Sequence, residues 1–156
     1  MKIFNSDGDF DKSNDNVSIF LAGPTLRGDD KNKYSDWRIW AIELFKNMKF
    51  DGSLYLPTPM RHEYTAQIDW EVYHLKKADC ILFWIPRDLK ILPGFTTNIE
   101  FGELLRSGKI VLGFPPNAEK MRYLAYRAKK YDVPVLETLK DTIAESIKIV
   151  MNNKKR

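Results

Sequence analysis

The chain has 156 residues, the length of one domain, and a chain of this size closes a core without a disulfide or a metal. Its 44% hydrophobic, 13% aromatic and 29% charged residues are those of a globular protein and exclude a disordered one. Cys80 is the single cysteine, which excludes an internal disulfide, and Lys154, Lys155 and Arg156 supply most of the +4 net charge, which leaves no basic stripe for a nucleic-acid polymer.

The first sixteen residues are polar and rich in Asp and Asn apart from Ile3, Phe4 and Phe10, and read as a loosely held arm. They lack the apolar core of a signal peptide, and no run reaches the ~18 apolar residues of a membrane span. The expected compartment is the cytoplasm. An apolar run over 17–22 is stopped by Gly23-Pro24. Apolar positions at helical spacing, including Trp37, Trp40 and Phe45, predict a helix over 34–48. Ser53–Leu56 reads as a second strand, ended by Pro57 and Pro59. A helix over 65–78 carries Ile68, Val72 and Leu75 on one face and His74 at the surface. The run 80–85 is the most continuously apolar and predicts a central strand buried on both sides. A loop with Pro86, Pro93 and Gly94 leads to a helix over about 97–107, which Gly108 ends. A strand over 110–114, a helix over 117–130, a short strand over 133–136 and a helix over 138–152 complete the chain.

Five strand–helix alternations with short connections predict one α/β domain over 17–156, with a five-stranded parallel sheet between two helical layers. In such sheets ligands bind outside the carboxyl ends of the strands, where the strand order reverses. Several phosphate chemistries fail at those ends. There is no G-x-G-x-x-G after the first strand, and Gly102 to Gly108-Lys109 has the wrong spacing for a P-loop and ends a helix instead of opening one. Ala22-Gly23-Pro24 lacks the acids of a receiver domain. Two histidines, His62 and His74, support neither a Ser-His-Asp triad nor a metal site.

Carboxylates remain. Glu100 stands near the start of a helix after the most buried strand, where exposed backbone N–H groups favour the ionised form that a nucleophile needs. Thr97-Asn98-Ile99-Glu100 equally fits an S/T-x-x-E capping box, which makes Glu100 a structural cap. Glu71 lies at the border of its helix's apolar face, with Asp69 rotated away from it; each also fits a solvated helix charge. Arg27 fits an anion contact or a pair with Asp29 or Asp30, and Arg61 a like contact or a pair with Glu63. Trp37 and Trp40 fit packing, while Tyr64 and Phe95 sit on ligand-edge loops where a base can stack.

Taken together, F-L-A-G-P over 20–24 with Arg27, Asp36-Trp37-Arg38, Glu71 eight residues before Asp79, P-G-F-T-T-N-I-E-F-G-E, and G-K-I-V-L-G-F-P resemble the nucleoside 2-deoxyribosyltransferase family over about residues 17–125. The resemblance implies a flavodoxin-like, Rossmann-like three-layer fold. It also implies a nucleophile at Glu100, within E-x-G, and a second catalytic carboxylate at Glu71, where members usually carry Asp. Substrate contacts fall on Gly23, Pro24, Arg27, Asp69, Phe95, Thr97 and Asn98. Members carry an acid for the sugar hydroxyls where this chain has Gly94, which leaves Thr97 or Asn98 for that contact. A neighbouring subunit completes the pocket in the family, with Asn117, Arg122 and Tyr123 as candidates here, so a homodimer or larger homo-oligomer is expected.

The implied reaction is exchange of nucleobases on 2-deoxyribose by retaining double displacement through a glycosyl-glutamate. Its substrates are nucleosides and free nucleobases, or nucleotides, and it needs no metal or organic cofactor. Two competitors stay open: an N-glycosidase that hydrolyses nucleosides or 5′-monophosphates at the same site, and a non-catalytic nucleotide-binding module.

Overall fold

A computed structural model describes residues 1–8, 10–13, 16–26, 36–58 and 63–153. Arg27, Arg61 and His62 lie outside the described residues. Six parallel strands are described: β1 (Lys2–Asn5), β2 (Ser18–Ala22), β3 (Ser53–Leu56), β4 (Cys80–Trp84), β5 (Ile110–Gly113) and β6 (Val135–Leu136), in the order β1-β3-β2-β4-β5-β6. The described helices are α1 (Trp37–Asn47), α2 (Tyr64–Lys77), α3 (Phe95–Leu104), α4 (Arg122–Lys130) and α5 (Leu139–Asn153).

β2 and β4 are the centre of the sheet, and every residue of both is buried. Period-two alternation gives each strand two loyalties. Ile81 and Phe83 of β4 pack with Trp70 of α2, Phe101 of α3 and Leu124 of α4. Cys80, Leu82 and Trp84 pack on the other face with Phe45 of α1 and Ile143 of α5. Three layers result. The chain leaves β2 for β3 on one side and returns to β4 on the other, so the order reverses beside β2, and a cleft is expected above its carboxyl end.

The sheet has six strands rather than the five read from sequence. The extra one, β1, comes from the segment read as a polar arm. Its main chain pairs with β3 from Lys2↔Ser53 to Asn5↔Leu56, and Phe4 meets Tyr55 with ring centroids 5.8 Å apart. An edge strand of four residues is held mainly by main-chain bonds, so its composition carried little signal. The chain beyond it stays docked. Asp11 accepts from Tyr55 Oη at 2.7 Å and its N–H donates to His74 Nε2 at 3.1 Å.

That docking corrects the reading of His74, which is fully buried instead of at the surface. Its ring lies against Trp70 and Tyr55, and Phe10 stacks on it at 5.7 Å. The buried face of α2 therefore runs through Gln67, Trp70 and His74 to Leu75, while Ile68 and Val72 stay partly exposed.

Candidate active site

A cleft of about 270 Å³ opens above the carboxyl ends of β2 and β3, between α2 and α3. Gly23, Pro24 and Thr25 form one wall, Gln67 and Glu71 project from α2, and Thr97, Glu100 and Glu103 from α3. Three carboxyl groups line it, and among the described lining residues there is no Lys, Arg or His.

Local sequence explains how α3 enters. Gly94 is its N-cap in the left-handed region, with φ 65° and ψ 46°. A Cβ at that position would stand 3.3 Å from Pro24 Cβ and 3.6 Å from Thr97 Oγ1. Glycine thus satisfies both the turn and the close approach of α3 to the end of β2. The helix starts at Phe95, two residues earlier than the sequence suggests, which puts Thr97 in the third helical position and Glu100 in the second turn. The capping-box reading is thereby overturned: Thr97 is not the cap, and Glu100 lies beyond the free N–H groups of the first turn.

The electrostatic expectation for Glu100 is corrected as well. Burial, followed by the nearby charge of Glu71, pushes the Glu100 carboxyl up to about 8; Arg38 opposes the rise and Glu103 adds to it. Glu71 is also raised by burial, against a hydrogen bond from Gln67 and the charge of Arg38. Distance from the helix end weakens the dipole, and the cleft withholds water, so the neutral acid is favoured.

The structure brings Glu71, Glu100, Gly23, Pro24 and Thr97 to this one cleft. Tyr64 also lines it, from the first position of α2 rather than from a loop. Asp69 is exposed on α2 and does not line it. Phe95 is exposed at the start of α3, outside the lining. Asn98 points to the opposite side of α3, where its Oδ1 accepts from Arg87. Of the two residues expected at the sugar, Thr97 lines the cleft and Asn98 does not. Sequence reading missed Gln67 and Glu103. Their signals were present: Gln67 is one turn before Glu71, and Glu103 one turn after Glu100.

A parallel three-layer α/β protein with paired carboxyl groups at its switch point is suited to chemistry at a glycosidic carbon. Residues 16–118 match the family model described as nucleoside 2-deoxyribosyltransferase like, and the chain belongs to that family. Membership points to glycosyl transfer or hydrolysis, with nucleosides and nucleobases as substrates. No curated protein matches the chain. Among the described residues no helix is long and apolar enough to cross a membrane.

Proposed function

We propose that this protein moves a 2-deoxyribosyl group between nucleobases by a retaining double displacement, with Glu100 as nucleophile and Glu71 as its proton partner. The observation that carries this reading is the meeting in the switch-point cleft of two half-buried carboxyl groups from adjacent helices, both pushed toward the protonated form. Two such groups titrate as a pair and hold one proton between them over part of the pH range.

The singly protonated pair reacts through the form in which the proton resting on Glu100 has passed to Glu71, and that form supplies both halves of the reaction. A carboxylate oxygen of Glu100 attacks C1′, and the C1′–N bond breaks with its electron pair leaving on the base nitrogen. The nitrogen takes the proton of Glu71, giving a free base and a glycosyl ester on Glu100. A nitrogen of the incoming base then attacks C1′, its proton passes to Glu71, and Glu100 departs as carboxylate. Two inversions leave the configuration retained.

The mouth of the cleft supports assembly with a second copy. Tyr64, Ile68 and Val72 of α2 and Phe95 and Ile99 of α3 are large exposed apolar side chains in one region. Covering them with a like subunit removes apolar surface from water and shields the ester intermediate.

The deciding experiment incubates a 2′-deoxynucleoside with and without a different free base and separates the products by chromatography. A new nucleoside that forms only with the acceptor supports the transferase. Free sugar released at the same rate in both makes the protein a hydrolase, and binding without turnover makes it a non-catalytic module.

A further inference from the structure

Arg38 is a fully buried guanidinium in the first turn of α1, and its side-chain hydrogen bonds, apart from one to Asp36, converge on one short stretch of chain. Nε donates to Leu21 O at 3.1 Å and Nη2 to Gly23 O at 2.8 Å. Nη1 reaches Pro24 O at 3.5 Å, Thr25 Oγ1 at 3.3 Å and Asp36 Oδ1 at 3.4 Å. The plane lies over the Trp37 ring at 4.5 Å, and Trp37 Nε1 itself donates to Pro24 O at 3.2 Å. The chain so gathered is the end of β2 and the turn after it, and Gly23, Pro24 and Thr25 are the cleft wall.

A buried arginine needs negative charge nearby, and among the described residues its ion pair is the long contact with Asp36, which is partly exposed and also caps α1. Among the described residues its charge also reaches Glu100 and Glu71, which line the cleft on the other side of the Gly23–Thr25 wall. Among the described residues the titratable groups beside that pair are Glu103 from α3, Tyr64 from α2 and Arg38 from α1, with none from the described ends of β2 and β3. Arg38 is therefore the cation behind a wall that carries none on its own surface.

We propose that Arg38 is a positioning residue of the reaction: its planar fork fixes the Gly23–Thr25 wall against which the sugar is held, and its buried charge keeps one carboxylate of the Glu71–Glu100 pair ionised. The inference rests on the roles given to Glu71 and Glu100 above. Lysine matches the charge but not the geometry, because one ammonium cannot donate to carbonyls at residues 21, 23 and 24 from their separate directions.

Two measurements on the full chain test this: carboxyl titration of ¹³C-labelled glutamate by NMR, and the kcat and KM of base exchange against pH. Arg38→Gln should raise the titration midpoints of the pair by about one unit or more. Arg38→Lys should leave them within about half a unit of wild type while kcat falls at least about tenfold with KM nearly unchanged. Should Arg38→Gln not fold, Arg38→Lys decides. Full kcat in Arg38→Lys overturns the positioning role. Midpoints that do not move in Arg38→Gln, or that move by a full unit in Arg38→Lys, overturn the charge role. Midpoints that behave as expected in a wild type showing no base exchange uphold the coupling to Arg38 and refute the reaction assigned to the pair.

Discussion

Gln67 Nε2 donates to Glu71 Oε1 at 2.6 Å, one helical turn along α2, and the same nitrogen reaches Pro57 O at 3.2 Å. Glu71 is thus tied through Gln67 to the end of β3. The bond favours its ionised form, against the burial that favours its proton. Gln67→Met keeps the volume and removes the bond. The first proton of the Glu71–Glu100 pair should then be lost at higher pH, which moves the acid limb of the kcat/KM profile upward. Loss of Glu71's orientation should lower kcat by about tenfold. An unchanged profile would separate Gln67 from the reaction.

The wild-type pH profile has a shape fixed by the pair. At low pH both carboxyls are protonated and no nucleophile exists. At high pH both are ionised and the leaving base finds no proton. A bell is expected, with its alkaline limb near the value of about 8 to which Glu100 is pushed. Rates measured at constant ionic strength across that range are the check, and a profile flat through the alkaline side would contradict it.

Glu100→Gln should remove base exchange by several orders of magnitude, since an amide is neutral and a very poor nucleophile. Its stability should move the other way. Folded Glu100 keeps its proton to about 8, against an ordinary value of 4.5, so between those values the unfolded chain binds fewer protons than the folded one. Wild-type stability therefore falls as pH rises through this window, and the loss is complete above the folded value. Glutamine does not titrate. The Tm of Glu100→Gln relative to wild type should rise from about pH 5 to about pH 8. A difference that shrinks over this range would mean that Glu100 is ionised in the folded cleft.

Gly102 is an exposed glycine inside α3, and a Cβ built there meets nothing within 4 Å. Gly102→Ala should add about 0.5–1 kcal/mol to the stability of the isolated chain by helix propensity alone. Urea unfolding checks this. Light scattering on the same variant and on Ile99→Glu checks assembly: the charge at Ile99, on the exposed apolar face of α3, should weaken self-association, whereas a protein already monomeric at micromolar concentration would refute assembly through this face.

Asp11 links the N-terminal segment to the core through Tyr55 and His74, and it also accepts from Ser13 N at 2.9 Å. Asp11→Ala should cost about 1–3 kcal/mol, because Tyr55 Oη loses its acceptor in a buried setting. Faster proteolysis of residues 1–13 with the core intact is the accompanying sign. Unchanged stability would show that main-chain pairing of β1 alone holds the segment.

Five of the six described strands and their alternation with helices were legible in the sequence because hydrophobic period and turn chemistry belong to neighbouring residues; β1 and the strand order were not. The run 80–85 is apolar throughout, and Gly23-Pro24 and Gly94 interrupt the chain where the sheet ends. The family resemblance, through E-x-G and the spacing of Glu71 before Asp79, added two carboxylates at the ligand edge. Register on α3 depended on one backbone conformation at Gly94, and a shift of two residues moved Glu100 out of the capping position. Tertiary structure alone decided the rest. His74 is buried because a segment sixty-three residues away lies over it. Asn98 turns from the cleft because Arg87 holds it on the far side of the helix. The proton on Glu100 reflects the water excluded around it and the charge of Glu71 from another helix, against the opposing charge of Arg38 from the opposite layer. Protonation follows the local dielectric and charges near in space, which residue spacing along a chain does not record.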